Sequence, residues 1–124
     1  PKRITNRGMF NYCWPGCLTV MYNQEVIGLI QIEDIRKNND YAMWLKVCKK
    51  SDCYLLDKVL AKYRRGRNGS ISTRDIMTLI KWHYLMFIQA ENESIFSAAI
   101  NTFRNIIFGI LKKAKYIKRF GYCE

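Results

Sequence analysis

Hydrophobic positions along this chain follow two rhythms, with a change near residue 63. From Asn38 to about Lys50, Tyr41, Trp44, Leu45 and Cys48 recur at three-to-four spacing, the single apolar stripe of an amphipathic helix. Asn38 or Asn39 suits its N-cap, and Asp40 falls in the first turn, where negative charge complements the helix dipole. Ser51-Asp52 ends the pattern. Farther on, a long helix is predicted from roughly Thr73 to Ala90, with Ile76, Leu79, Ile80, His83, Met86 and Phe87 on one face. Ser72-Thr73-Arg74-Asp75 leads into it and resembles a capping box with Asp in place of Glu. A second long helix is predicted from Ser94 to about Arg119. Its apolar stripe is Phe96, Ile100, Phe103, Ile107, Ile110 and Leu111, with Arg104 and Asn105 nearby.

Before residue 63 the pattern is shorter. Trp14-Pro15-Gly16 is a turn signal, and Cys17–Tyr22 (CLTVMY) reads as a strand. Asn23-Gln24-Glu25 starts a turn or single helical turn that ends at Gly28, and residues 29–35 read as a short strand or loop. Cys53–Leu56 and Val59–Tyr63 read as two short strands separated by Asp57-Lys58, a hairpin or an edge pair. A basic loop, RRGRNGS, occupies residues 64–70. The expected class is therefore α/β: short strands over 1–72, then two long helices as a C-terminal extension over 73–124.

Composition narrows this picture. A length of 124 residues fits one domain or part of one, and 49% apolar residues suffice for a core. A formal charge of +11 favours anionic partners: phosphates, nucleic acid or an acidic membrane surface. The chain opens PKRITNRGMF, without an apolar leader, so either a Met preceding Pro1 was removed or the sequence is an excerpt. Five cysteines, with no export signal, read as free cytosolic thiols. Cys13, Cys17, Cys48 and Cys53 lack the tight C-x2-C spacing of zinc knuckles, which favours core packing over a metal site.

The last helix is interrupted at Asn101, Arg104 and Asn105, against a membrane span. Its basic end, KKAKYIKRF, leaves two readings: a helix lying on an anionic membrane surface, or a packing helix with a solvated C-terminus.

Much chemistry is excluded by motif. The chain has no Gly-rich phosphate loop, no G-x-S-x-G and no H-E-x-x-H. His83, the one histidine, lies on an amphipathic face and reads as packed or hydrogen-bonded before it reads as a ligand or base. Arg64, with Arg65 and Arg67, could bind phosphate, because guanidinium forks match phosphate oxygens and the loop glycines admit the backbone. No nucleic-acid module fits, so nucleic acid is not an expected partner. Asp40 has two compatible readings: a helix-terminal charge, or a general base at a cleft beside Trp44, whose ring could stack on a sugar.

The ordered segments MFNYCWPGCLTVMYNQEVIG, IRKNNDYAMWLKV, LLDKVLAKYRRGRNGSIS and IKWHY resemble the C-terminal half of bacterial family 2 glycosyltransferases. These are the non-processive enzymes of capsule, O-antigen and exopolysaccharide gene clusters. The resemblance runs from about Met9 to about Lys113. It implies part of a GT-A fold, a Rossmann-like α/β domain that uses a nucleotide-sugar and usually a divalent metal, Mg or Mn.

The family's acidic pair precedes a D-x-x-L-W-L-like helix, and its second acid is the proposed base. Asp40 takes that role by position, while Asn39 replaces the usual Glu. Gly16–Met21, including Thr19, matches the segment that lines the acceptor side, with Trp44 and Asn39 as further acceptor contacts. Tyr63-Arg64 with Ser70-Ile71-Ser72 matches a recurrent element.

The family's D-x-D metal motif does not occur in these 124 residues. The resemblance therefore implies an acceptor side and a base without the donor and metal side, and no cofactor held by this chain alone. In the intact enzyme the partners would be a nucleotide-sugar and a glycan or lipid-linked acceptor. A cytoplasmic location follows, with peripheral contact at the inner face of the cell membrane left open. The alternative is a non-enzymatic basic module that binds an anionic membrane surface or a protein.

Overall fold

The structure, a computed structural model, describes residues 1–62 and 75–116. Arg64 and its basic loop, Tyr63 with the 70–72 element, and Cys123 lie outside the described residues. In chain order the elements are β1 (Arg3–Ile4), α1 (Asn6–Asn11), a 3-10 turn (Cys17–Thr19), α2 (Gln24–Ile27), α3 (Asn39–Lys50), β2 (Cys53–Tyr54), α4 (Ile76–Gln89) and α5 (Ile95–Tyr116). The described residues are mostly helical, and their strand structure is one antiparallel ladder pairing Arg3 with Tyr54 and Ile4 with Cys53.

Helix α3 is the centre of the core. Its stripe is buried as the spacing requires: Tyr41, Trp44, Leu45 and Cys48, joined by Ala42 and Val47. Fully burying a side chain such as Leu45 stabilises by roughly 1.5–3 kcal/mol. Helix α1 packs on one side of α3 and α4 on another. Thr5 caps α1, its Oγ1 accepting from the Gly8 N–H at 3.2 Å. Asn23 caps α2, which ends at Gly28 with φ +83°, the second of the two forms expected there, a turn or a single helical turn.

The predicted strands fare differently. Cys17–Thr19 forms a 3-10 turn and Val20–Tyr22 has no ladder partner. β-favourable residues make a strand only where a second strand adjoins them. Cys53–Tyr54 finds such a neighbour in β1 and not in Val59–Lys62, so the expected hairpin is replaced by a long-range pair. Arg3 and Asp52 close that ladder with an ion pair at 2.5 Å.

Helices α4 and α5 form a hairpin whose facing ends, Gln89 and Ile95, lie within one residue of those predicted; the predicted start at Thr73 and end at Arg119 lie outside the described residues. On α4 the buried residues are Met86 and Phe87, while Ile76 and Leu79 of the expected stripe are 63% and 42% exposed. On helix α5 the predicted apolar stripe faces outward. Phe96, Ile100, Phe103, Ile107, Ile110 and Leu111 are all exposed, and the buried positions are Ala98, Asn101, Thr102 and Asn105.

The buried side of α5 works by hydrogen bonding and close approach. Asn105 Nδ2 donates to the Phe10 carbonyl at 3.0 Å and to the Tyr41 hydroxyl at 3.1 Å, and that hydroxyl donates to the Met9 carbonyl at 2.7 Å. Thr102 donates to the Ala98 carbonyl, Asn101 to Glu93, and Arg104 to Asn11. A Cβ on Gly109 would stand 3.0 Å from the Tyr12 ring, so the glycine lets α5 come close to α1's end. The residues that interrupt the apolar pattern are the docking residues.

Candidate functional site

The N-terminal end of α3 carries the candidate chemistry. Asn38 sits in the left-handed region at φ 58°, a conformation asparagine tolerates, and its carbonyl accepts the first helical bond from Ala42 at 3.0 Å. Its side chain makes no cap hydrogen bond. The next two side chains act locally: Asn39 Oδ1 accepts from the Asp40 N–H and Asp40 Oδ1 from the Tyr41 N–H, each at 2.9 Å. One carboxylate oxygen of Asp40 is thus held by the backbone of its own helix, which leaves the other for a partner from elsewhere in the chain. Asp40 and Asn39 are both partly buried.

That second oxygen meets Cys17. The thiol donates to Asp40 Oδ2 at 3.0 Å, from the 3-10 turn that follows Pro15-Gly16. Cys17 is exposed, so the contact opens to solvent. Partial burial pushes the Cys17 thiol pKa up, and the bond to Asp40 with that residue's charge pushes it further. The Trp44 indole opposes this shift. Cys17 therefore holds its proton and presents it to the carboxylate.

Sequence reasoning missed part of this surrounding. The thiol of Cys13 is pushed up mainly by burial and then by the Asp40 charge, while Lys112 of α5 pulls it down. Lys112 reaches the same loop, donating to the Trp14 carbonyl at 3.3 Å with its ammonium 4.8 Å from the Tyr12 ring centroid. By sequence Lys112 belongs to the basic end of the last helix. Its spacing from Asn105 and Gly109, four and then three residues, was the available signal that all three share the docked face.

The other candidate residues separate. Trp44 is 6% exposed, and with Val20, Met21, Tyr22 and Val47 it lines a cleft of about 300 Å³. Part of the Cys17–Met21 segment thus forms a wall there, whereas Asp40 is not among the lining residues. Gly16 and Thr19 are exposed, joined by the Thr19 N–H to Gly16 carbonyl bond at 3.1 Å. A Cβ on Gly16 would meet nothing within 4 Å, so packing does not require that glycine.

His83 packs edge-on to Tyr41 with ring centroids 6.0 Å apart, and burial lowers its pKa. Cys48 is buried, its thiol pushed up to about 11 by burial. Among the described residues no group of three or more His, Cys, Asp or Glu side chains is placed to hold a metal ion. No helix among them is long and apolar enough to cross a membrane.

Comparison with known proteins gives one relationship to report. A Bacillus subtilis (strain 168) protein named "Putative teichuronic acid biosynthesis glycosyltransferase TuaG" is 42% identical over 75 residues, which is 60% of this chain and 30% of that protein. The match spans less than a third of the relative's length. No family profile matches the chain. No solved structure matches it. Over the shared stretch this chain is related to a protein named as a glycosyltransferase.

Proposed function

We propose that this sequence supplies the acceptor side of a family 2 glycosyltransferase of GT-A fold, with Asp40 as the general base. The sequence relationship supports sugar transfer as the reaction class. The observation that carries the base assignment is the 3.0 Å contact between the Cys17 thiol and Asp40 Oδ2. A proton donor, from the exposed Cys17, already sits on the second carboxylate oxygen. An acceptor hydroxyl that displaced the thiol would donate along the same line.

The chemistry is a direct displacement. Asp40 takes the proton of the acceptor hydroxyl as its oxygen bonds to the anomeric carbon, and the bond to the nucleoside diphosphate breaks. Fixing Asp40 Oδ1 on the Tyr41 N–H orients the carboxylate before the acceptor arrives. Trp44 contributes through the cleft wall it forms, since its ring is not an open plate. The nucleotide-sugar is bound by a further portion of the enzyme. The acceptor is a glycan or a lipid-linked saccharide.

The test is Asp40→Asn in the enzyme that carries this sequence together with its donor-binding portion. A kcat loss of roughly 10²–10⁴ is expected, with donor affinity retained. Near-normal turnover would reduce Asp40 to a helix-terminal charge. The 124-residue chain alone should show no transfer from any nucleotide-sugar, and transfer by it would contradict the assignment of donor binding elsewhere.

A further inference from the structure

The contact between Cys17 and Asp40 joins two segments, the loop after α1 and the start of α3, and their separation depends on what holds the loop. Within the loop the bonds are short-range. The Cys13 thiol donates to the Pro15 carbonyl at 3.5 Å, and the Thr19 N–H to the Gly16 carbonyl at 3.1 Å. Trp14 ties the loop to the rest of the fold. Its indole N–H donates to the Gly8 carbonyl of α1 at 3.1 Å, and its own carbonyl accepts from the Lys112 ammonium of α5 at 3.3 Å.

The α5 end of this tie is shaped to receive the loop. Lys112 Nζ stands 4.8 Å from the Tyr12 ring centroid and 5.9 Å from that of Trp14, and the two rings meet edge-on at 5.6 Å. A cation within about 6 Å of an aromatic face is attracted by the ring quadrupole, so two rings and a carbonyl hold the same ammonium. Gly109, three residues back along α5, leaves room for Tyr12, since a Cβ there would stand 3.0 Å from the ring. Lys112 is accordingly half-buried, while Lys113 beside it is exposed.

The tie reaches Cys17 through a stiff link. The Trp14 carbonyl belongs to the planar peptide bond with Pro15, and the proline ring fixes its own φ. A hydrogen bond on that carbonyl therefore orients Pro15, and only Gly16 separates Pro15 from Cys17. On the α3 side, Asn105 of the same α5 holds the Tyr41 hydroxyl at 3.1 Å, and the Tyr41 N–H holds Asp40 Oδ1. Helix α5 thus grips both halves of the contact.

We infer that Lys112 is a positioning residue of the candidate site: it holds residues 12–17 so that Cys17, and the segment that follows it, face Asp40. The consequence for sugar transfer rests on the Asp40 reading, whereas the placement of the loop does not.

The experiment is iodoacetamide alkylation of Cys17 in the full chain near neutral pH, read by peptide mapping, in Lys112→Met, Lys112→Arg and Lys113→Met. In Lys112→Met the rate should rise at least roughly twofold, because a loop that drifts from Asp40 frees the thiol from the carboxylate that holds its proton. Loss of a positive charge without loss of position acts the other way, since a nearby cation favours the thiolate. Lys112→Arg keeps the charge and the donor and should return the rate to that of the unsubstituted chain. Lys113→Met removes the neighbouring charge and should leave the rate unchanged. Unaltered far-UV circular dichroism spectra confirm that the variants fold. An unchanged or slower rate in Lys112→Met, an arginine that does not restore it, or an equal rise in Lys113→Met overturns the inference. In the enzyme that includes the donor-binding portion, Lys112→Met should raise the acceptor KM several-fold and leave the donor KM unchanged. If Asp40→Asn keeps near-normal turnover while Lys112→Met still quickens alkylation, the base assignment fails and the positioning of the loop stands.

Discussion

Two substitutions two positions apart on α5, Phe103→Ser and Asn105→Ala, should have opposite consequences to those an amphipathic pattern suggests. If the apolar stripe faced the core, removing Phe103 would cost about 3–5 kcal/mol and removing Asn105 almost nothing. In the structure Phe103 is 63% exposed and Asn105 is 4% exposed. Only about a third of the phenylalanine's burial energy is at stake, roughly 0.5–1 kcal/mol. Asn105 donates to the Phe10 carbonyl, the Tyr41 hydroxyl and the Asn101 carbonyl at 3.0–3.2 Å. Truncation strips these buried acceptors of a donor and opens a void, a loss of about 2–4 kcal/mol. Urea unfolding measures both. With a slope of about 1–3 kcal/mol per molar, the Asn105→Ala midpoint should fall by about 1–2 M, and the Phe103→Ser midpoint by a few tenths. An unchanged slope is expected in both. A larger loss for Phe103→Ser than for Asn105→Ala would refute the docked orientation of α5.

Two further outcomes follow from the titrating groups. Burial lowers the folded-state pKa of His83 below the ordinary 6.5, so the unfolded chain binds the extra proton as pH falls through that value. Stability should therefore drop below about pH 6.5, by at most about 1.4 kcal/mol per pH unit until the folded histidine is protonated too; His83→Gln, followed by urea midpoints across pH, should remove that part of the slope. Alkylation of Cys17 by iodoacetamide near neutral pH should quicken in Asp40→Asn, because the carboxylate that raises the thiol pKa is gone. Peptide mapping by mass spectrometry reads the rate at this one cysteine, and a slower rate in the variant would show that Asp40 does not hold the thiol protonated.

Helix periods were legible in the sequence, but the facing of the helices was legible only where burial is apolar. Tyr41, Trp44, Leu45 and Cys48 could be read because α3 is surrounded by hydrophobic neighbours, which is the condition the three-to-four rule assumes. On α5 the rule assigns the apolar side to the interior, whereas Asn101, Thr102 and Asn105 satisfy carbonyls there and Gly109 admits Tyr12. Strand residues at 17–22 and 59–62 carried the right propensities, but propensity says nothing about whether a partner strand lies alongside. Asp40 was legible as a first-turn acid from Asn38-Asn39 ahead of it. Its contact with Cys17 was not, since Cys17 stands 23 positions away and the chain between decides where that thiol comes to rest.

The two sides of α5 also explain why a polar interface is useful here. A purely apolar seam between α5 and the core could slide or rotate at small cost, because dispersion and hydrophobic burial have little directional demand. The Asn105–Tyr41–Met9 chain and the Asn101–Glu93 bond fix rotation and register together, since a shift by one residue leaves several buried groups unpaired. Register in turn sets where Lys112 lands, against Tyr12 and the Trp14 carbonyl in the loop that delivers Cys17 to Asp40. The same polar contacts that orient the loop of the candidate site also hold the phenylalanine and isoleucine seam outward.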